Sequence, residues 1–292
     1  MGIKEELIKE LGSELSSSEK EDLPGAYQMI GDIIILNLKP SLNKHKKRIA
    51  EVLLKKLTYV KTVCEKTGEI TGEYREPQIK KIAGNGTETI HQEHGCKFQL
   101  DVTKLMWAKG NISERKRIGE LPRPGEVIID MFTGLGYFSI PMAVMSKPRV
   151  IYSIEKNPVA YDYLLRNIEL NKINCIKPIL GDSKIEALKL EKADRVIMGY
   201  LPEPFEFLGT AFKIIKERAW IHYEGISRED TSEIEKRFKD KAVENGFKTK
   251  IDSVTFVKKY KPRNWHVVIN ALCYKEGVSS PSRGESVPFL GW

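Results

Sequence analysis

The segment Val127–Ile140 constrains the fold more than any other part of this chain. It reads VIIDMFTGLGYFSI, so an apolar β-branched run ends at Asp130 and a Gly-x-Gly turn follows at Gly134 and Gly136. A buried strand that ends at a carboxylate and turns tightly into a helix is typical of nucleotide-type sites in α/β sheets. We expect the glycines to let a ligand approach the backbone closely, because glycine has no Cβ. The segment therefore predicts an α/β fold with a ligand site at this turn.

The remainder of the second part of the chain alternates between strand and helix patterns. Further strands are predicted at 149–155, 176–181, 195–198, 219–223, 254–259 and 265–274, and helices at 137–145, 157–171, 183–188, 204–215 and 233–245. Such alternation favours a mainly parallel sheet with helices on both faces. We predict a doubly wound, Rossmann-like catalytic domain at residues 99–275.

The first hundred residues follow a different pattern. Helical spacing at 3–15 and 43–57 is combined with short strand patterns at 31–38, 60–64, 80–82 and 96–101, and Asn85–Gly86 is a pair that favours a hairpin turn. We predict a small α+β domain at residues 1–98 that positions RNA or substrate. Residues 276–292 are rich in Ser, Gly and Pro, and we expect a tail that is disordered or foreign to the natural protein.

Composition narrows the functional classes. The longest apolar runs are far shorter than the roughly 20 residues that span a bilayer, and the charged start MGIKEELIKELG does not resemble a secretory signal. Four scattered cysteines without a C-x-x-C pair favour reduced thiols and no metal site. We therefore expect a cytoplasmic protein without membrane contact. The net charge of +8 lies almost entirely beyond residue 100 and is compatible with a nucleic-acid partner.

Two kinds of ligand compete for the glycine turn. A dinucleotide site requires G-x-G-x-x-G, but Ser139 stands at the third glycine position here, and Asp130 would repel a pyrophosphate. An aspartate at that place suits a ligand with positive groups, such as the ammonium and sulfonium of S-adenosylmethionine. Gly-x-Gly alone does not decide between the two ligands.

Two further strand ends favour S-adenosylmethionine. The next strand ends at Glu155, whose carboxylate can accept both hydroxyls of a ribose. The third ends at Asp182-Ser183, where the carboxylate can bond the adenine amino group or simply cap the following helix. Three acidic strand ends in order make an S-adenosylmethionine-dependent enzyme the leading hypothesis, with Asp130, Gly134, Gly136, Glu155, Asp182 and Ser183 in its cofactor site.

The chain also resembles a known family over most of its length. The matching motifs are Tyr74-Arg75, Ile82-Ala-Gly84, His94-Gly95, Phe98–Asp101, Glu114-Arg115, Asp130–Gly136, Glu155–Pro158, Leu201-Pro202, Ile221-His-Tyr223 and Tyr260–Arg263. They resemble archaeal and eukaryotic tRNA enzymes that act on the purine 3′ of the anticodon. One branch methylates guanosine at N1. The other, in wybutosine synthesis, transfers the 3-amino-3-carboxypropyl arm of S-adenosylmethionine to a tricyclic guanosine derivative, the 4-demethylwyosine-type base.

Three departures favour the aminocarboxypropyl branch. The methyltransferases carry Asn-Leu-Pro where this chain has Tyr200-Leu-Pro202, and they tend to have Phe-Ser-Pro-Arg before the Glu-Arg pair, where this chain reads Trp107-Ala-Lys-Gly-Asn. They usually also begin with an extra domain, which we expect to be missing here. The resemblance thus implies release of 5′-methylthioadenosine and tRNA, in particular the anticodon stem-loop of tRNA(Phe), as the partner of a monomeric enzyme.

The resemblance also implies roles for individual residues. Arg75 would contact the base and stabilise developing negative charge, and Glu114 would accept a proton or only orient Arg75 or Arg115. Tyr200 would stack on the base or serve packing alone. Arg115 and the backbone around Trp107 and Ala108 would anchor the carboxylate of the arm, although Arg115 could instead form a surface ion pair. Orientation of this arm would decide which carbon is transferred. His222 is expected to be structural.

Basic residues on both sides of the predicted site favour an electrostatic RNA contact. The candidates are Lys104, Lys109, Lys116, Arg117, Lys259 and Arg263. The alternatives are the guanine-N1 methyltransferase, a non-catalytic RNA-binding protein that retains the fold, and a small-molecule methyltransferase.

Overall fold

Two compact units make up the chain. The computed structural model describes residues 2–202 and 204–277. The first unit comprises residues up to 93 together with 97–109, and the second comprises 94–96 and the residues from 110 onward. The predicted boundary at residue 98 therefore falls inside a strand, and most of that strand stays with the first unit. Of the predicted tail 276–292, residues 278–292 lie outside the described part of the chain.

The first unit contains a four-stranded sheet covered by helices. Its strands are β1 (Gln28–Ile30), β2 (Ile33–Leu36), β3 (Thr62–Lys66) and β4 (Ile79–Gly84), in the order β1-β2-β3-β4. The helices are α1 (Ile3–Leu11), α2 (Ser17–Asp22) and α3 (Lys46–Lys56). Ile49, Val52 and Leu53 of α3 recur at helical spacing and are buried with Leu7 and Leu11 of α1. The apolar faces of these amphipathic helices thus form the core of this unit.

A separate hairpin, β5 (Glu88–Glu93) and β6 (Cys96–Asp101), completes the small domain. The predicted hairpin turn at Asn85–Gly86 is wrong, since the turn lies at His94–Gly95, with φ of 48° and 79°. Strand β5 was not predicted from the sequence because its inward-facing residues are polar. Thr89 and Glu93 are buried whereas Ile90 is exposed, which reverses the usual apolar pattern of a half-buried strand.

The second unit is built on a seven-stranded sheet in the order β12-β13-β11-β10-β7-β8-β9. The strands are β7 (Val127–Asp130), β8 (Val150–Glu155), β9 (Ile176–Leu180), β10 (Ala193–Met198), β11 (Ile215–Ser227), β12 (Lys248–Lys261) and β13 (Asn264–Tyr274). The run from β11 through β10, β7 and β8 to β9 is parallel, whereas β13 pairs antiparallel with both β11 and β12. The strand order reverses between β7 and β10, which is where ligands bind in such sheets.

Helices on both faces of this sheet create two different environments. They are α4 (Ile112–Glu120), α5 (Ser139–Met145), α6 (Pro158–Leu170), α7 (Ser183–Glu186), α8 (Leu208–Ile214) and α9 (Ser232–Glu244). On one face, which we call the apolar face, Ile221, Tyr223 and Val267 pack against α8 and α9. The alternate residues of β11 and β13 point to the opposite face, next to α4, and include His222, Glu224, His266 and Asn270. We call this the polar face.

Within the described residues, no helix has both the length and the apolar character needed to cross a membrane.

Candidate active site

The glycine turn lies at the carboxyl edge of the sheet, directly after β7. Gly134 and Gly136 have φ of 57° and 102°, which favour glycine. A Cβ on Gly134 would lie 2.5 Å from the ring of Tyr137, and one on Gly136 would lie 2.5 Å from Cγ1 of Ile140. The sequence suggested that the glycines make room for a ligand. The structure shows protein side chains where each Cβ would lie, so the glycines let the turn pack tightly against its surroundings, and close approach of a ligand stays a prediction.

Asp130 is fully buried behind this turn. Its carboxylate accepts hydrogen bonds from the Ser139 hydroxyl (2.7 Å) and, more weakly, from the Phe132 amide (3.4 Å). The Ser153 hydroxyl in turn donates to Ser139 (2.7 Å). Burial raises the pKa of Asp130 to about 6. The side chain thus fixes the loop from within.

Glu155, at the end of β8, binds the same turn from the other side. One carboxylate oxygen accepts from the Gly134 amide and the other from the Asn157 amide, both at 2.7 Å. Burial raises the pKa of Glu155, although the backbone donors act in the opposite direction. The structure therefore brings together Gly134 and Glu155, two of the residues from which the nucleoside site was predicted.

A hydrogen bond connects the third acidic strand end, after β9, to the first, after β7. Asp182 caps α7 by accepting from the Lys184 amide (2.9 Å), and Lys156 lies 3.5 Å from its other oxygen. The capping role considered from sequence is therefore present. The Ser183 hydroxyl is buried and donates to the Met131 carbonyl, so it faces the end of β7. Asp130, Glu155 and Asp182 thus lie at the ends of adjacent strands β7, β8 and β9.

Tyr200 belongs to an aromatic group at this edge. Its ring stacks on Phe132 with centroids 5.2 Å apart, and Phe132 meets Phe207 edge-on at 4.8 Å. Phe132 and Phe207 were not predicted as site residues from the sequence, although Phe132 lies within the glycine-turn motif. Tyr200 is half-buried, so part of its surface can receive a flat ligand.

Helix α4 carries Glu114 and Arg115, and both are buried. The Glu114 carboxylate binds the guanidinium of Arg117 through two hydrogen bonds of 2.6 and 2.8 Å. Sequence analysis did not anticipate this pair with Arg117, and a role of Glu114 in orienting Arg75 or Arg115 stays a prediction. The alternative that Arg115 forms a surface ion pair is wrong, since the residue is 2% exposed. Burial raises the pKa of Glu114, and Arg117 counteracts part of this rise.

Other predicted site residues lie in the first unit. The Trp107 ring is buried against His91 and Phe98, with centroids 5.0 Å apart in each case, and its carbonyl accepts from the Gln28 side chain (3.1 Å). Arg75 has a φ of 55° and a guanidinium nitrogen 3.7 Å from the Met106 sulfur. In the same unit, Ala108 is half-buried and Lys104 and Lys109 are exposed.

The remaining basic candidates differ in their surroundings. Lys259 and Arg263 are exposed near the β12–β13 turn, and the Lys259 ammonium lies 5.5 Å from the centre of the Trp265 ring. Lys116 is half-buried and 3.8 Å from Glu120. The Arg117 guanidinium is paired with Glu114 at 2.6 Å, and its contact with RNA stays a prediction.

This edge fits a nucleoside that carries positive charge. Three carboxylates line the strand ends, the loop from Asp130 to Gly136 contains no basic residue to neutralise a pyrophosphate, and Glu155 stands beside the loop as a hydroxyl acceptor. S-adenosylmethionine has this chemistry. Among the described residues, no set of His, Cys, Asp or Glu side chains is arranged to hold a metal ion.

Known proteins support the same conclusion. Residues 89–252 match the family described as TRM5/TYW2 methyltransferase domain, and residues 7–87 match the TYW2 N-terminal domain. A Methanocaldococcus jannaschii protein named tRNA(Phe) (4-demethylwyosine(37)-C(7)) aminocarboxypropyltransferase is 46% identical over 250 residues, which cover 84% of this chain and 96% of the relative. A Pyrococcus abyssi tRNA (guanine(37)-N(1))-methyltransferase, Trm5b, is 37% identical over 85% of this chain and 74% of its own length.

Solved structures agree with these sequence relationships. The crystal structure of Pyrococcus horikoshii TYW2 in complex with MeSAdo superposes with a TM-score of 0.81 at 33% identity, over 93% of this chain and 99% of that one. M. jannaschii TYW2 in complex with AdoMet gives a TM-score of 0.70 at 39% identity, over 86% and 100% of the two chains. The predicted family and the predicted α/β fold are thereby confirmed: the chain belongs to the TRM5/TYW2 family, in the branch whose curated members are named aminocarboxypropyltransferases.

Proposed function

We propose that this chain transfers the 3-amino-3-carboxypropyl group of S-adenosylmethionine to the 4-demethylwyosine-type base 3′ of the anticodon in tRNA(Phe) and releases 5′-methylthioadenosine. The observation that carries this proposal is the 46% identity with a curated enzyme of that name over nearly its whole length. The acidic strand ends and the loop held by Glu155 support it, because they suit the nucleoside and the positive charge of this donor.

We assign the following roles to residues of the second unit. Glu155 accepts the ribose hydroxyls, and Asp182 accepts the adenine amino group while it caps α7. Asp130 keeps the glycine turn in shape and adds negative charge behind it. Tyr200 offers its ring to the target base beside Phe132. Bound S-adenosylmethionine supplies a carbon activated by the sulfonium.

The choice of carbon depends on how the amino-acid arm is held. Arg115, Trp107 and Ala108 remain our candidates for binding its carboxylate, and Arg75 remains the candidate for stabilising charge on the base. Glu114 remains the candidate proton acceptor: its carboxylate is buried, and burial raises its pKa toward the range in which a base works at neutral pH. The monomeric state and a cytoplasmic location are part of the same proposal.

RNA binding is proposed to be mainly electrostatic. Lys104, Lys109, Lys259 and Arg263 are exposed, and Lys116 is partly so. A phosphate backbone neutralised by several such side chains releases counterions on binding. We expect tRNA affinity to fall steeply between 50 and 200 mM salt, by about 100-fold or more. Affinity that changes less than about threefold over this range would contradict an electrostatic contact.

Product analysis tests the proposed reaction. The protein is incubated with tRNA that carries 4-demethylwyosine and with S-adenosylmethionine labelled either in the methyl group or in the carboxyl group. We expect label in the tRNA only from the carboxyl-labelled donor, with an equal amount of 5′-methylthioadenosine. Methyl label in the tRNA, with S-adenosylhomocysteine as the second product, would instead identify a methyltransferase, which is the alternative function.

Two variants make this test specific to the site. Glu155→Gln weakens acceptance of the ribose hydroxyls and is expected to lower S-adenosylmethionine affinity by about tenfold. Glu169→Gln, on an exposed position of α6, removes the same charge away from the strand ends and should leave affinity unchanged. If calorimetry detects no binding of S-adenosylmethionine by the parent protein, the chain is a non-catalytic RNA-binding protein.

A further inference from the structure

A cleft opens at the amino end of the parallel strands, on the opposite edge of the sheet from the candidate active site. It encloses about 210 Å³, and its lining includes Arg123, Glu126, Asp194, Arg218 and Trp220. The first two residues belong to the connection between α4 and β7, and the other three lie near the starts of β10 and β11. All five belong to the second unit, and none of them is a residue of the candidate active site.

Trp220 supplies a flat surface in this cleft. Arg218, Trp220 and His222 alternate along β11, so their side chains point to the same polar face of the sheet. The guanidinium carbon of Arg195 lies 6.0 Å from the centre of the indole ring, and the His222 ring stacks nearly parallel to the indole at 6.3 Å. The indole is half-buried, so neighbouring side chains fix its orientation while part of its surface lines the cleft.

The two carboxylates that line the cleft already have cationic partners. Glu126 accepts two hydrogen bonds from Arg195, at 2.8 and 3.1 Å. The two carboxylate oxygens of Asp194 lie 2.7 and 2.8 Å from the Lys216 ammonium. Because these pairs compensate the negative charges of the lining, the carboxylates do not exclude an anion from the cleft.

Arg123 and Arg218 make the cleft suitable for an anion that also carries a flat ring. Arg123 is exposed and Arg218 is half-buried, and their guanidinium groups add positive charge to the compensated carboxylates. Arginine binds phosphate oxygens through parallel hydrogen bonds, and aromatic side chains stack on nucleobases of any identity. The volume of about 210 Å³ is below the roughly 300–1,000 Å³ of pockets that enclose a drug-sized ligand. The cleft therefore suits one ring and one charged group.

We propose that this cleft binds a nucleoside monophosphate unit, with its base on Trp220 and its phosphate between Arg123 and Arg218. A free nucleotide and a single nucleotide of an RNA chain present the same base and phosphate, so both fit this chemistry. The inference goes beyond the proposed function, because the cleft uses no residue of the cofactor site or the target-base site and transfers no group.

Calorimetry of the full chain with uridine 5′-monophosphate tests this proposal. S-adenosylmethionine is kept at a saturating concentration to fill the cofactor site, and uracil is neither adenine nor the tricyclic target base. We expect saturable binding that is about tenfold tighter than that of uridine or inorganic phosphate, because the base and the phosphate are linked. Uridine 5′-monophosphate that binds no more tightly than inorganic phosphate would overturn the proposal. Failure of S-adenosylmethionine to bind would instead count against the proposed function.

Two variants locate the bound nucleotide. Arg123→Gln changes an exposed side chain, so the fold is retained, and we expect the affinity for uridine 5′-monophosphate to fall by about tenfold. Trp220→Leu removes the stacking surface and should lower the affinity by a similar factor. Arg149→Gln is the matched control, since Arg149 is an exposed arginine that pairs with Glu191 just before β8 at the same edge of the sheet. The control should stay within about twofold of the parent. An unchanged affinity in Arg123→Gln would overturn the proposal, whatever the effect of Trp220→Leu.

A uridine tetranucleotide distinguishes the two sources of the ligand. RNA is the occupant if the tetranucleotide binds at least about tenfold more tightly than uridine 5′-monophosphate and loses this advantage in Arg123→Gln. In every other case in which uridine 5′-monophosphate binds and Arg123→Gln weakens it, the occupant is a free nucleotide. Both results support a nucleotide site in this cleft.

Discussion

The two faces of the large sheet are buried to the same degree but are chemically different. On the apolar face, Tyr223 and Phe238 are buried among aliphatic and aromatic side chains of β11, α8 and α9. On the polar face, Arg195 of β10 and His222 and Glu224 of β11 occupy the alternate strand positions and are equally buried. Strand periodicity alone therefore separates a region that supplies stability from one that supplies charge.

The contrast between the two faces shows that charged and polar side chains can be buried in a core where they are paired with one another. On the polar face, nearly every buried group has a partner: Arg195 binds Glu126 and His222, and His222 binds Asn270. Asp130 lies on this face too, level with Ser153 of β8. The polar residues thus form a layer that leads to the carboxyl edge, whereas the apolar face can be repacked without affecting charge at the site.

The largest expected effect is on the apolar face. Phe238→Ala removes a fully buried ring that packs against Phe212 and Tyr223, and we expect the free energy of unfolding to fall by about 4 kcal/mol. Denaturant unfolding measures this, and the affinity for S-adenosylmethionine of the folded fraction should stay within twofold. A tenfold loss of affinity would show that the faces are not independent.

Breaking an ion pair on the polar face should cost almost as much. Arg195→Met leaves Glu126 and His222 without their cation, and we expect a loss of about 3 kcal/mol in unfolding free energy. The double variant Arg195→Met with Glu126→Gln removes both charges and should recover at least half of this loss. A double variant as unstable as the sum of the single changes would contradict charge pairing as the cause.

Asp130 should produce a pH effect of known sign. Its pKa of about 6 in the folded protein lies above the ordinary value of 3.8, so folding favours the protonated acid. The resulting stabilisation, about 3 kcal/mol, is present below pH 4 and is lost as the pH rises through 6. Asp130→Asn should therefore flatten the pH dependence of stability between pH 4 and 6. An unchanged slope in thermal unfolding at these pH values would contradict the assignment.

The smallest effect is expected at the rim of the sheet. Lys259→Gln removes an exposed charge over Trp265 and should leave the unfolding free energy within about 0.5 kcal/mol. The salt dependence of tRNA binding should become shallower by about 0.7 in the log–log slope, because one phosphate contact is lost. Lys248→Gln, at the other end of β12 and paired with Glu276, is the matched control and should not change the slope.

Local order along the chain explains what could be predicted. Asp130, Gly134 and Glu155 fall at the ends of consecutive parallel strands, so one pass along the sequence places them together. The fold class and the family motifs could also be predicted, because they too depend on short stretches of consecutive residues. Glu224 and His266 could not be paired in this way, because their contact depends on the antiparallel register of β11 and β13 across 42 positions. The partner of Glu114 could have been predicted, because Arg117 lies three positions further along α4, where helical spacing brings two side chains together.

The hydrogen bond between Glu155 and the Gly134 amide has a consequence for binding entropy. A free glutamate side chain loses about 1.5–2 kcal/mol of rotamer freedom when it is ordered. Here the carboxylate is already held by two backbone amides, so this loss is part of folding and does not reduce ligand affinity. The Glu155 carboxylate is therefore already oriented as an acceptor before the nucleoside binds. If the turn at Gly134 became mobile, the Glu155 carboxylate would lose this orientation as well.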